Sequence, residues 1–314
     1  MEKVLVTGGA GFIGSHLCEY LLKKGYFVYC LDNFLTGKRE NIALLESNQN
    51  FKFLNVDLID ENIDVPEVNY IFHLASPASP ADFQNLSEEI ALVNSLGTLN
   101  LLKFAVDKKA KFLMTSTSEV YGEPKEHPQK ETYRGNVNSF GPRSCYDESK
   151  RFAETLVYIY RKKFNLNARL VRIFNTYGPR MRKDDGRVIS NFINQAISNN
   201  PITVYGDGQQ TRSFCYVSDM VEGIYKTMFS ERSEGQIINL GNPEEYKMIE
   251  LAEKIKKMTG SQSKIVFSDL PEDDPSRRCP DISKAKEILS WEPKIKVDEG
   301  LKKTIEYYKS IFYV

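Results

Sequence analysis

The chain has 314 residues, 41% of them hydrophobic and 27% charged, with 42 Lys and Arg balanced by 42 Asp and Glu. That length holds one large core or two modest ones, the composition excludes disordered, collagen-like and coiled-coil classes, and zero net charge removes bulk electrostatics as a reason to expect nucleic acid or an anionic membrane as partner. Cys18, Cys30, Cys145, Cys215 and Cys279 form no CxxC pair and only His16, His73 and His127 are present, so neither a disulfide framework nor a metal centre is expected, and without a signal-peptide pattern or an unbroken apolar span a cytoplasmic protein is expected.

In chain order, the first half alternates β-branched or aromatic runs with amphipathic stretches of helical length. Strands are predicted over Val4–Thr7, Phe27–Leu31, Phe51–Asn55, Tyr70–Leu74, Phe112–Thr115 and Leu170–Phe174, and helices over Phe12–Lys24, Ser87–Val106 and Tyr146–Phe164. The pattern predicts an α/β fold, a doubly wound parallel sheet of Rossmann type. After Asn175, Gly and Pro punctuate shorter elements. A dinucleotide-binding domain over residues 1–175 and a smaller, mainly substrate-binding region over 176–314 are therefore expected, with some later segments returning to the sheet.

Three constellations carry chemistry. Val4–Thr7 runs into Gly8, Gly11 and Gly14 at GxxGxxG spacing and then a helix. Such a turn brings a bare backbone and a helix N-terminus to a pyrophosphate. Asp32 follows Gly14 at the end of the second strand, where a carboxylate can accept from both ribose hydroxyls and repel a 2′-phosphate, favouring NAD over NADP; an aspartate there also suits a simple loop cap. Tyr146 and Lys150 lie one helical turn apart on the same face. An ammonium beside the phenol, together with a nicotinamide cation, favours the phenolate, lowers its pKa and equips it to take the proton of a sugar hydroxyl. The Thr115-Ser-Thr-Ser-Glu119 strand end offers Thr117, Ser118 and Glu119 to the crevice at the carboxyl edge of the sheet, although Ser and Thr there also suit capping of the next turn.

With these residues in view, the whole chain resembles the extended short-chain dehydrogenase/reductase superfamily, and its middle segments are similar to those of UDP-glucuronate decarboxylases. They are His73-Leu-Ala-Ser-Pro-Ala-Ser-Pro80, Thr115-Ser-Thr-Ser-Glu-Val-Tyr-Gly122, His127-Pro-Gln129, Arg143-Ser-Cys-Tyr-Asp-Glu148, Arg172-Ile-Phe-Asn-Thr-Tyr-Gly-Pro-Arg-Met181 and Gly186-Arg-Val188. The resemblance implies Thr117, Glu119 and Tyr146 at the reacting sugar and Lys150 on the nicotinamide ribose. It implies Gly8, Gly11, Phe12, Ile13, Asp32, Asn33 and Asp57 along the dinucleotide, Asn175 at the sugar diphosphate, and Tyr205 and Arg212 at the uridine diphosphate. Arg278 matches an active-site arginine of the family and is expected to fold over the crevice onto the substrate's anionic groups. Phe83 and Arg134 stand where the family usually has Tyr and Trp, and Leu92 falls near a frequent Lys; all three are expected to border the sugar pocket.

The implied function is NAD-dependent decarboxylation of UDP-glucuronate to UDP-xylose through a 4-keto sugar, with a homodimer expected by analogy. A nucleotide-sugar 4,6-dehydratase or 4-epimerase shares the first oxidation. Nucleoside-diphosphoglucose dehydratases commonly carry Asp-Glu where this chain has Ser118-Glu119, some GDP-mannose dehydratases have Ser-Glu there, and the epimerase typically lacks a carboxylate. A non-catalytic NAD-binding protein would lack Tyr146 or Lys150, and both are present.

Overall fold

Short β-branched and aromatic runs become buried parallel strands, and their alternation decides which core each side chain enters. In β1 (Lys3–Thr7), Val4 and Val6 join one hydrophobic cluster while Leu5 joins the other. The computed structural model describes residues 1–60, 63–65 and 67–312. After β1 come α1 (Phe12–Lys23), β2 (Phe27–Asp32), β3 (Phe51–Asn55), β4 (Tyr70–His73), α2 (Ser87–Leu92), α3 (Thr98–Lys108), β5 (Lys111–Thr117), α4 (Ser144–Phe164) and β6 (Ala168–Ile173). The second half adds β7 (Thr176–Tyr177), α5 (Val188–Ile197), β8 (Ile202–Tyr205), β9 (Thr211–Ser213), β10 (Cys215–Tyr216), α6 (Val217–Phe229), β11 (Ile237–Leu240), β12 (Glu245–Lys247), α7 (Met248–Thr259), β13 (Ile265–Ser268), β14 (Arg277–Arg278), α8 (Ser283–Leu289) and α9 (Val297–Phe312).

Seven strands form one parallel sheet in the order β11-β6-β5-β4-β1-β2-β3. α1 and α6 pack together on one face, and α3 and α4 on the other. This is the doubly wound architecture, whose crevice lies at the carboxyl edge where strand order reverses beside β1. The sheet crosses residue 175, since β11 pairs with β6 and α6 lies against α1. The small sheets β12-β9-β14 and β13-β8 stand over the crevice, and Tyr205, Arg212 and Arg278 from them line the same cavity as the strand ends.

Two local departures matter for the site. β5 continues two residues past the expected end, because Ser116 and Thr117 keep pairing with Arg172 and Ile173 of β6. The helix expected over 87–106 is split, with a π-helical turn at Val93–Gly97 between α2 and α3. By length and composition alone Ser87–Lys108 could cross a membrane, its most apolar 18 residues having a mean hydropathy of 1.2. It packs against α4 and β5 and bonds polar side chains within the protein: Asn94 Nδ2 donates to Ser149 Oγ at 3.0 Å, although Asn94 Oδ1 is buried without a partner, and Asn100 Nδ2 donates to the Leu58 carbonyl at 3.1 Å.

Candidate active site

The crevice is a cavity of about 470 Å³ reaching from the glycine-rich turn to β14. Every site residue singled out from the sequence lines it: Gly8, Gly11, Phe12, Ile13, Gly14, Asp32, Asn33 and Asp57 at one end, Thr117, Ser118, Glu119, Tyr146 and Lys150 in the middle, Asn175, Tyr205, Arg212 and Arg278 at the other. Phe83 also lines it, whereas Leu92 and Arg134 do not. Leu92 is the last residue of α2, and Arg134 is an exposed loop residue whose carbonyl accepts from Arg151 Nη1 at 2.9 Å.

At the glycine end, a Cβ on Gly14 would sit 2.0 Å from the Gly8 carbonyl oxygen, and Gly8 has φ +68° with Ala75 backbone against it, so side chains are excluded by sterics. α1 starts at Phe12 with no side-chain cap and no acidic residue in its first turn, leaving backbone N–H groups and the positive end of the helix dipole for an anion. Asp32 accepts from Ala10 N at 3.0 Å and Phe34 N at 2.8 Å. Burial pushes its carboxyl above the usual range, and those N–H groups partly restore it. Each Asp32 oxygen keeps a further lone pair for a ligand hydroxyl. Beside it, Asn33 Nδ2 donates to Asp57 Oδ2 at 2.8 Å. Bare backbone, an uncapped helix and a carboxylate at the end of β2 fit a dinucleotide.

In the middle, the Thr117 hydroxyl stands beside the Tyr146 phenol, favouring its ionised form, and accepts from Glu119 N at 3.2 Å, so it caps the turn as well as facing the crevice. The Phe83 ring stacks on Tyr146, centroids 5.1 Å apart. Lys150 Nζ donates to the Thr115 carbonyl at 3.2 Å and stands 5.9 Å from the centre of the Tyr146 ring. Lys150 alone does not lower the Tyr146 pKa. Burial pushes the phenol above its ordinary value, with Thr117 pulling the other way, and burial also lowers Lys150 to about 8. The resting tyrosine is therefore a phenol that needs a cationic ligand beside it to become a base.

At the far end, Glu119 is buried between two guanidinium groups. Arg143 Nη2 donates to its Oε2 at 2.5 Å and Arg278 Nη2 to the same oxygen at 2.8 Å, while Arg278 Nη1 donates to Oε1. Burial raises the Glu119 pKa, but Arg278, Arg143 and Arg212 together outweigh it and hold the carboxyl below its usual range. Arg278 thus lines the crevice as expected, with its fork on Glu119. Arg212 likewise donates to Asp274 Oδ2 at 3.0 Å and to the Pro275 carbonyl. Asp147, its Oδ1 buried without a partner, is raised to about 7 by burial and by Glu119. Two arginines thus converge on Glu119, and Arg143 also faces Asp147 Oδ2 at 3.8 Å.

Two arginines went unassigned in the sequence. Arg143 lies three residues before Tyr146, a spacing that brings it to the same face of the chain and was the available signal. Arg187 lines the cavity, paired with Asp185 at 2.5 and 2.7 Å, and only its place in the Gly186-Arg-Val188 segment hinted at it.

A parallel doubly wound sheet, a GxxGxxG turn opening its first helix and a Tyr146/Lys150 pair beside Thr117 define an extended short-chain dehydrogenase/reductase. Comparison with known proteins narrows the class. Residues 5–304 match the family described as GDP-mannose 4,6 dehydratase. UDP-glucuronic acid decarboxylase 1 of Arabidopsis thaliana is 51% identical over 98% of this chain and 70% of its own length, and UDP-glucuronic acid decarboxylase 1 of Danio rerio is 49% identical over 98% and 72%. Among solved structures, the UDP-glucuronic acid 4-epimerase of Bacillus cereus, in complex with UDP-glucuronic acid and NAD, superposes with a TM-score of 0.91 at 32% identity, covering 98% of this chain and 99% of that one. The chain belongs to the GDP-mannose 4,6 dehydratase family and, within it, to the UDP-glucuronic acid decarboxylases.

Proposed function

We propose that the protein converts UDP-glucuronate to UDP-xylose and carbon dioxide with NAD as a resident cofactor. The observation that carries the reading is the pair of arginines, Arg143 and Arg278, gathered around Glu119 beside Tyr146 and Thr117, donors that suit a sugar bearing a carboxylate; the relatives named above support it. Bound NAD would supply a hydride acceptor at C4 of the sugar and return the hydride at the end of the cycle. Gly8, Gly11, Gly14 and the start of α1 would hold its pyrophosphate, Asp32 its adenosine ribose and Lys150 its nicotinamide ribose.

Tyr146 would take the proton of the C4 hydroxyl, with Thr117 hydrogen-bonded to the same oxygen. The ketone so formed is beta to the C6 carboxylate, and the carbon–carbon bond breaks with loss of carbon dioxide, leaving an enolate whose oxygen Tyr146 and Thr117 can hold. A proton then enters at C5. The balance is one carboxylate lost as carbon dioxide and one proton taken up, with no net change in the cofactor. Incubation with UDP-glucuronate and NAD tests this: the expected products are UDP-xylose and one equivalent of carbon dioxide, whereas UDP-galacturonate as main product would replace the reading with epimerase, and a 6-deoxy-4-keto sugar released from a UDP- or GDP-hexose at a much higher kcat/KM would replace it with dehydratase.

The same proposal includes a cytoplasmic homodimer. α4 turns Phe152, Tyr158 and Ile159 to solvent, an apolar patch on a long surface helix that suits a second copy. Light scattering expects twice the chain mass, and Phe152→Glu with Ile159→Glu expects the monomer.

A further inference from the structure

Behind the arginine cluster, three segments far apart in sequence converge on one corner. A ring nitrogen of His127, a carboxylate oxygen of Glu245 and the sulfur of Cys279 all lie within 4.8 Å of one another, the one such grouping of three among the described residues. His127 Nε2 is 2.9 Å from Glu245 Oε2, and the other Glu245 oxygen accepts from Thr211 Oγ1 at 2.6 Å. Cys279 is fully enclosed, and its backbone is held on both sides by Gln129, whose Oε1 accepts from Cys279 N at 2.8 Å and whose N donates to the Cys279 carbonyl at 2.9 Å. The thiol points at the Pro243 carbonyl, 3.4 Å away.

We propose that His127, Glu245 and Cys279 form a binding site for a divalent transition-metal ion of the zinc class. One imidazole, one carboxylate and one thiolate are the donor types of zinc sites, whereas magnesium and calcium take all-oxygen sets. Three protein ligands leave a fourth tetrahedral position for water. Metal–ligand bonds of ~2.0–2.3 Å require the donors to draw somewhat closer than they stand. The fixed Cys279 needs little movement, because the His127 and Glu245 side chains are 27% and 26% exposed and can turn toward it. Thr211 already orients Glu245 from outside, as outer partners of metal ligands do. On binding, the Cys279 thiol releases its proton to solvent and the ion takes the place of the contact between His127 and Glu245; no electrons move.

The position gives the site a consequence. Glu245 begins β12, which pairs with β9 and its Arg212, and Cys279 directly follows Arg278 of β14, which pairs with β9 from the other side. A bound ion would fasten the loop of His127 to the small sheet that presents both arginines to the crevice. With ligands at 127, 245 and 279, no local motif announces the site.

Titration of the metal-stripped protein with Co²⁺ and Zn²⁺ tests the proposal. One equivalent is expected, with a sulfur-to-metal charge-transfer band and tetrahedral visible bands for Co²⁺, and a melting temperature that rises with Zn²⁺ concentration. Cys279→Ser should abolish the charge-transfer band and weaken binding by ~100-fold or more, and His127→Gln and Glu245→Gln should each weaken it by at least ~10-fold, while Cys145→Ser leaves it unchanged. Each variant is first melted with chelator present, so that loss of fold is separated from loss of metal. No stoichiometric binding by the unmutated protein, or a charge-transfer band that survives Cys279→Ser, would overturn the assignment.

Discussion

The two ends of the crevice are built by opposite strategies. The dinucleotide end is local: Gly8 to Asp32 spans two strands and one helix, and its ligand-facing groups are backbone N–H and one carboxylate fixed by two backbone N–H groups. The sugar end is collected from residues 117 to 278, and its charged side chains are locked against one another, Glu119 to Arg143 and Arg278, Arg212 to Asp274. A backbone-built site tolerates many ligands that share a diphosphate, while a site built of paired charges can be retuned by one substitution. The contrast explains how one fold serves epimerase, dehydratase and decarboxylase relatives.

The largest effect is expected where the two ends meet. Tyr146→Phe should lower kcat by ~10²-fold or more with the melting temperature close to that of the unmutated chain, the scale of losing a general acid–base group. A variant within a few-fold of the parent would place the proton transfer elsewhere.

Next comes the sugar end. Arg278→Ala should reduce kcat/KM by ~10- to 150-fold, the scale of a charge-assisted hydrogen bond, while Arg277→Ala, exposed on the same short strand, does much less. Because Arg278 is half of Glu119's neutralisation, Arg278→Ala should also lower the melting temperature, and adding Glu119→Gln should recover part of that loss. If stability is unchanged by Arg278→Ala, the two groups are not coupled and the charge account of this end fails.

At the dinucleotide end, Asp32→Ala should narrow the preference for NAD over NADP by ~10-fold or more by removing both an acceptor and a repulsive charge, measured as the ratio of the two dissociation constants. Equal affinities in the unmutated protein would show that the carboxylate does not face the ribose. The smallest effect is on stability. His73, buried between Thr7 and Thr98 at 2.9 and 3.0 Å, is lowered to about 3 by burial and then by Lys150. The unfolded chain therefore binds the proton first as pH falls. Stability is fully present above pH ~6.5 and is lost below it at ~1.4 kcal/mol per pH unit from this group, down to about 3. Chemical denaturation at pH 7 and 5.5 should show that slope, reduced in His73→Gln.

What could be read in advance follows the same division. The sheet, α1 and Asp32 were legible because their signals are local: alternation in Val4–Val6, a glycine every third residue, a carboxylate at the end of β2. Glu119 was legible from its place at the strand end, whereas Arg278 was reached only through resemblance, because 159 positions separate two side chains that share hydrogen bonds. Arg143 was passed over although its spacing from Tyr146 was visible. The π turn at Val93–Gly97 changes the hydrogen-bond rung without changing the apolar pattern, so nothing in composition marks it. The Tyr146 pKa depends on burial supplied by Phe83 and its surroundings, which no i,i+4 spacing reports.

The most direct test is turnover of UDP-glucuronate in D₂O, followed by mass spectrometry and NMR of the sugar nucleotide. The account predicts UDP-xylose carrying one deuterium at C5, one carbon dioxide per sugar and no net reduction of NAD. A six-carbon product, or a pentose without deuterium at C5, would contradict it.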